Sequence, residues 1–179
     1  GADSMCLLYF LREQGYDVSC AHFNHQLRGA EAAHDENFVR AWCEKEGIPF
    51  YPGTGDVRAH ARATGKTEEE AGRDLRYAFL RETAKSLGAQ IALAHHLDDN
   101  AETVLLNLVR GTDLRGLCGM RPRQGDIVRP FLEQTREELV IYARAHNIPH
   151  VEDHTNADPN AAARNYLRLE ILPRLRELN

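Results

Sequence analysis

Apolar residues run from Met5 to Leu11 and Gly15 follows, a pattern that predicts a helix over Ser4 to Gln14 closed by a glycine C-cap. Val18-Ser19-Cys20-Ala21-His22-Phe23 then reads as a buried strand. Residues 31 to 46 have the spacing of an amphipathic helix, with Phe38, Ala41 and Trp42 inward and Cys43 beside them, stopped by Gly47 and Pro49. Pro49-Phe50-Tyr51 opens a second strand. From Gly53 to Gly65 the chain reads as loop with a short helical piece, and Thr67 and Glu70 then have capping-box spacing for a long helix ended by Gly88. Ile91 to Ala94 predicts a third strand. Behind it Ala101, Val104, Leu105, Leu108 and Val109 recur at helical spacing. A strand near Ile127-Val128-Arg129, a helix from Arg136 to His146 and a last helix from Arg164 to Leu178 complete the pattern.

Helices and strands alternate, which predicts an α/β fold: a three-layer, doubly wound parallel sheet with helices on both faces. Such a fold opens on a strand leading into its first turn, and none precedes Gly1, so the first strand is expected to be missing. There is no internal repeat or low-complexity linker. The length suits one domain, with roughly the last 50 residues as a helical extension.

Polar residues gather at two helix starts. Gly1-Ala2-Asp3-Ser4 reads as the end of a phosphate-binding turn, because first-turn N–H groups and the positive end of the helix dipole attract an anion; an ordinary Asp or Ser cap is the competing reading. Ala94-His95-His96-Leu97-Asp98-Asp99-Asn100-Ala101-Glu102-Thr103 lies where the third strand ends, the place at which open α/β sheets bind ligands. Capping needs only one of Asp98 and Asp99, so the pair exceeds it, and Glu102 lies one turn further on. Arg73 and Arg76 share a helix face with Tyr77 and Leu80, opposite a stripe of Leu75, Ala78 and Phe79.

Composition narrows the class. With 42% hydrophobic and 27% charged residues and no apolar stretch near the roughly 20 residues that span a bilayer, a soluble cytoplasmic protein is expected, with no membrane partner. The net charge of −5 does not advertise nucleic-acid binding, yet residues 121 to 179 carry nine Arg against nine acids, so the deficit lies in the first 120 residues. Nineteen of the 22 basic residues are Arg, which suits bidentate phosphate contacts. Cys6, Cys20, Cys43 and Cys118 lie far apart and make neither a zinc ribbon nor a redox dithiol motif.

Together these segments resemble the N-type ATP pyrophosphatase (PP-loop) superfamily, whose phosphate loop ends as Gly1-Ala2-Asp3-Ser4 does, and within it the tRNA(Ile)-lysidine synthetase family. The resemblance covers nearly all the chain. It runs through Gly1 to Leu8, His22-Phe23-Asn24-His25-Gln26-Leu27-Arg28-Gly29, Ala71 to Tyr77, His95 to Thr103 and Asn107 to Gly111. It continues through Gly116-Leu117-Cys118-Gly119-Met120, Arg129-Pro130-Phe131-Leu132, Asp153-His154-Thr155-Asn156 and Arg164-Asn165-Tyr166-Leu167-Arg168 with Pro173. Gly72 stands where the family has a residue such as Ala, and the family's C-terminal tRNA-binding domain is expected to be absent after Asn179.

The resemblance implies an ATP-dependent ligase that adenylates C2 of the wobble cytidine of a tRNA(Ile) with a CAU anticodon, releases pyrophosphate, and admits free L-lysine through its ε-amine. ATP and Mg²⁺ are the implied cofactors, and a homodimer is possible. Asp98, Asp99, Arg73, Arg76 and His95 are the expected catalytic residues; one of the two aspartates positions or deprotonates the lysine amine or binds Mg²⁺. Gly1, Ala2, Asp3, Ser4, Phe23, Asn24, Arg110 and Gly111 are expected to bind nucleotide, with Asp3 and Asp99 on the metal. His25, Arg28, Glu102, Arg164 and Arg168 are expected on the tRNA or substrate side. Three rivals remain: a tRNA sulfur transferase, which should carry paired cysteines; a dinuclear metal hydrolase built on His95, His96, Asp98 and Asp99; and an ATP-binding sensor module.

Overall fold

The computed structural model describes residues 1–26, 30–151 and 163–177. The chain divides into two compact units, one of Phe10–Ile91 and one of Gly1–Tyr9 with Ala92–Asn179. Helix α1 (Ala2–Glu13) and strand β3 (Ile91–Ala92) carry the backbone from one to the other.

In the Phe10–Ile91 unit, β1 (Cys20–Asn24) and β2 (Phe50–Thr54) pair in parallel, from Cys20 opposite Phe50 to Asn24 opposite Thr54. Helix α2 (Ala30–Glu46) supplies the crossover that parallel pairing requires. Trp42 and Phe38 are half-buried and Cys43 is buried, but Ala41, expected inward, is exposed. The Cys20 and Cys43 thiols hydrogen-bond each other, and burial pushes Cys20 up to about 12. This contact is a tertiary pairing that 22 intervening positions conceal.

Helix α3 (Val57–Thr64) starts at Asp56, whose carboxylate accepts the Ala59 N–H at 2.8 Å. The Thr67/Glu70 capping box forms as the spacing predicts and opens α4 (Glu68–Leu87), which ends at Gly88 with φ +61°. Val57, Ala61 and Ala71 make a small core with Leu75 against it. Ala78, expected on the inward stripe of α4, is exposed, while Tyr77 is buried. Gly53 belongs to β2 rather than to a loop, and a Cβ there would lie 2.6 Å from the Phe79 ring. Phe79 in turn lies tilted against Phe23 with centroids 5.7 Å apart.

In the other unit, the start of α1 buries Met5, Cys6, Leu7 and Leu8, and Tyr9 packs on His146 and Tyr142 with centroids 5.3 and 6.3 Å away. Strands β4 (Arg123–Gln124) and β5 (Ile127–Val128) form an antiparallel hairpin, and the sheet order is β3-β5-β4. The α/β architecture therefore holds and β1–β2 is parallel as expected, but this hairpin departs from an all-parallel pattern. Strand β5 lies where a strand was expected near Ile127, whereas β4 is two polar residues, too short for periodicity to register.

Helix α5 (Leu97–Arg110) leaves β3, and the short α6 (Leu114–Leu117) follows. Leu108 and Val109, expected on the inner stripe of α5, are exposed, so its last turn does not face the core. Helix α7 (Arg136–Ala145) opens with a second capping box, Thr135/Glu138. The expected last helix is three pieces: α8 (Ala163–Tyr166), a π turn over Leu167–Ile171, and α9 (Leu172–Arg176). Leu172 donates to the Leu167 carbonyl, a π-type bond; Pro173 follows, has no N–H to continue the α ladder, and so favours the wider turn. Among the described residues no helix is long and apolar enough to cross a membrane.

Asp98 ties three of these helices together. Its carboxylate accepts the first N–H of α7, from Arg136, at 2.7 Å, and pairs with Arg176 of α9. Burial works to raise its pKa, but the Arg136 N–H and the Arg176 charge outweigh it and hold the carboxyl below its usual range.

Two predictions follow from these contacts. Gly53→Ala forces a methyl into the Phe79 ring and should destabilise the fold by about 1–3 kcal/mol, read as a lowered thermal midpoint. Because a depressed carboxylate stabilises only while ionised, Asp98→Asn should cost about 1–2 kcal/mol at pH 7, and the gap to wild type should close as pH falls below about 4. Denaturation midpoints taken between pH 7 and pH 3 check the second.

Candidate active site

Helix α1 begins at Ala2, and its first intrahelical bond runs from the Met5 N–H to the Gly1 carbonyl at 3.3 Å. The N–H groups of Ala2, Asp3 and Ser4 thus have no acceptor within the helix, and the dipole adds positive potential. The Asp3 side chain is 38% exposed and Ser4 is exposed, so the turn is open to an incoming anion.

Helix α5 presents its N-terminus to the same place. His96, buried at the end of the strand, is its N-cap: Nδ1 accepts the Asp99 N–H at 3.3 Å, and the Asp99 carboxylate accepts the His96 N–H at 3.1 Å. Accepting at Nδ1 places the ring proton of a neutral imidazole on Nε2. That nitrogen lies 3.5 Å from Asp99 and 3.9 Å from Asp3. Two helix starts and two carboxylates therefore converge on one imidazole edge.

One turn further along α5, Glu102 is fully enclosed, at 0% exposure. Arg168, on the π turn, grips it through Nε on Oε1 at 2.6 Å and Nη2 on Oε2 at 3.0 Å, and the Arg164 Nε lies 3.3 Å from Oε2. The Arg168 Nη2 also reaches to 3.6 Å from Asp99. Burial works against the Arg168 charge, but Glu102 and Asp99 outweigh it and hold the guanidinium more firmly protonated. Arg164 further donates to the Thr103 hydroxyl at 2.8 Å. Glu102, expected to face substrate, is in this arrangement an internal counter-ion.

The remaining expected residues are distributed as follows. His95 accepts from the Nε of buried Arg129 at 3.2 Å. Arg110 and Gly111 close α5 at its far end, about 20 Å from Asp98 and Asp99 along a 14-residue helix, with Gly111 at φ +76° as the C-cap. The glycine loop after α6 folds back onto α5: Asn107 donates to the Gly116 carbonyl at 2.8 Å and Asn100 accepts the Met120 N–H at 2.6 Å.

In the Phe10–Ile91 unit, Asn24 donates to Glu36 at 3.2 Å and its oxygen accepts the Gln26 N–H, while Phe23 lies against His25 with centroids 5.1 Å apart. Arg73, Arg76 and Arg81 surround the Tyr77 ring at 5.2 to 5.6 Å. Arg28 and the segment with Asp153 and Asn156 lie outside the described residues.

Sequence reasoning did not single out Arg129 or Arg176, and it left His96 unplaced. Histidine is not a usual N-cap, so the His96/Asp99 box escapes a search for Ser or Thr followed by Glu. Arg129 sits between Val128 and Pro130 in a segment that reads as apolar. The metal-hydrolase rival needs a ligand cluster, and among the described residues no group of three His, Cys, Asp or Glu side chains is placed to hold a metal ion.

Comparison with known proteins gives the family. A family model described as a PP-loop domain matches residues 1–175. The chain is 43% identical over 180 residues to a tRNA(Ile)-lysidine synthase of Parabacteroides distasonis, a match that takes in 100% of the chain and 41% of that protein. It is 46% identical to one from Thermus thermophilus, over 99% of the chain and 34% of that protein, and 41% identical to one from Thermotoga maritima, over 100% and 44%. The chain thus spans less than half the length of these curated relatives. Among solved structures it is similar to the U34-tRNA thiolase NcsA from Methanococcus maripaludis with its 4Fe-4S cluster, at a TM-score of 0.70 and 17% identity, over 99% of this chain and 70% of that one, a likeness of fold alone. An open helix start where the phosphate turn should be, in an α/β chain matched by that model almost from end to end, places the chain in the PP-loop domain family.

Proposed function

We propose that the chain carries the catalytic centre of an enzyme that joins L-lysine to C2 of the wobble cytidine of a tRNA(Ile) with a CAU anticodon, consuming ATP and releasing pyrophosphate. The observation that carries the reading is the convergence of two helix N-termini on Asp3, His96 and Asp99, in a chain 41% to 46% identical over nearly its whole length to proteins named for that activity.

Two charge problems have to be solved. Pyrophosphate leaves as a polyanion, and the open N–H groups of Ala2, Asp3 and Ser4 at the positive end of α1 are suited to receive it. Asp3 offers a hard oxygen donor at this open turn, and so few protein ligands suit a Mg²⁺ that arrives on nucleotide phosphates. When bound, that ion would supply charge neutralisation on the phosphates.

The second problem is the lysine ammonium, which must lose a proton before nitrogen can attack. Asp98 is committed to Arg136 and Arg176, which leaves Asp99 as the carboxylate for this task. Asp99 is held from two sides, by the His96 N–H and by Arg168. Glu102 acts behind it as a positioning residue, through Arg168. On the other unit, Phe23 and Asn24 are proposed beside adenine, Arg73 and Arg76 on ATP phosphates or the tRNA backbone, and His25 and Arg28 toward tRNA. Arg110 is exposed a helix length from the two aspartates and suits a backbone phosphate of the tRNA better than ATP. A sulfur-transfer reading is less well supported: the relatives at 41% to 46% identity are named for lysidine synthesis, whereas the thiolase likeness is one of fold alone.

Incubating the complete gene product with labelled lysine, ATP, Mg²⁺ and a CAU-anticodon transcript should give lysine transfer that disappears without ATP and with a wobble-uridine transcript. Pyrophosphate release with no lysine incorporated would refute the reading. Asp99→Asn keeps the cap to His96 but removes the base, and should slow lysine transfer by about 10²–10⁴-fold while tRNA-dependent pyrophosphate release falls less than about tenfold. Equal losses in both steps would move Asp99 from the amine to the nucleotide.

A further inference from the structure

A cavity of about 280 Å³ opens beside the β4–β5 hairpin, lined by Pro122, Val128, Arg129, Pro130, Leu132 and Glu133. Its base is a built feature. Arg129 is only 5% exposed, and three bonds fix it: its backbone N–H to the Pro122 carbonyl at 2.7 Å, Nη1 to the Arg121 carbonyl at 2.9 Å, and Nε to His95 at 3.2 Å. None of these uses Nη2. Through His95 the base of the cavity is tied to the residue that directly precedes His96, the cap of α5.

The walls define what fits. Two prolines, a valine and a leucine give flat apolar surfaces, and the volume lies at the small end for ligand sites, which suits one planar ring rather than a nucleotide. The polar groups are a buried guanidinium, which only donates, and the exposed carboxylate of Glu133, which only accepts. Cytosine carries the complementary edge: O2 and N3 are acceptors, and the amino group on C4 donates, a pairing that carboxylates make with this base elsewhere. Uracil presents an oxygen at C4 and an N–H at N3, which places like against like at both positions.

We propose that this cavity seats the target cytosine base, with Arg129 donating to its O2 and N3 edge and Glu133 accepting from its exocyclic amine. The proposal rests on the lysine-transfer reading and adds to it the residues that distinguish cytosine from uracil. O2 has two lone pairs, so one remains open to the phosphorus of ATP while the other accepts from Arg129.

Glu133 lies at the exposed rim, so its substitution leaves the core intact, and a thermal midpoint confirms folding. In the complete gene product, Glu133→Gln should lower kcat/KM for pyrophosphate release on the CAU transcript by about 10- to 100-fold relative to a transcript with a wobble uracil. The KM values for ATP and lysine should be unchanged. Unaltered cytosine-to-uracil discrimination, in an enzyme whose wild type transfers lysine, overturns the cytosine site and leaves the lysine-transfer reading standing. A raised KM for lysine with discrimination intact also overturns it, since the cavity would then seat the amino acid. Absence of lysine transfer by the wild type removes the reading beneath both.

Discussion

The clasp of Arg168 and Arg164 on the fully enclosed Glu102 is the contact on which the rest of the candidate site depends. An ionised carboxylate out of water is costly unless paired and hydrogen-bonded, and the bidentate geometry of Arg168 meets that requirement. The pairing gains its structural meaning from its reach. Glu102 belongs to α5 and Arg168 to the π turn near the end of the described chain, 66 positions later. Charge thus fastens the terminal segment against the helix whose first turn carries Asp98 and Asp99.

From that fastening a division of labour follows among four carboxylates. Glu102 is taken up by arginines, and Asp98 is spent on the first turn of α7 and on Arg176. Asp3 and Asp99 remain, and they face one another across the His96 edge at the meeting of two helix starts. Positive potential from the helices and negative charge from the carboxylates are both available there, the combination required for receiving a polyanion and unmasking an amine.

Much of this was legible in the sequence, and what was not has identifiable physical causes. Long elements announced themselves: α4 from its Thr67/Glu70 box, α2 from Gly47 and Pro49, and α5 from the polar cluster at its start. Strand β5 was expected near Ile127, but β4 and its antiparallel pairing were not, because the two residues of β4 carry no period. Leu108 and Val109 have helical spacing yet face outward, since spacing describes a stripe and not what covers it. The acidic pair after two histidines was conspicuous, but which acid is spent on structure depends on Arg136 and Arg176, neither of them close in sequence. Likewise His95 and His96 are equivalent on paper. Only the backbone turn at the strand end decides which becomes the cap of α5 and which meets Arg129.

A double-mutant cycle across Glu102 and Arg168 tests the central claim most directly, with stability and lysine transfer measured for Glu102→Gln, Arg168→Met and the pair. If the buried clasp both fastens the terminal segment and steadies Asp99, each single change should destabilise strongly. The double should be less damaging than their sum by about 2 kcal/mol or more, with transfer following the same non-additivity. Additive losses in stability, or single variants that transfer lysine at the wild-type rate, would contradict the account.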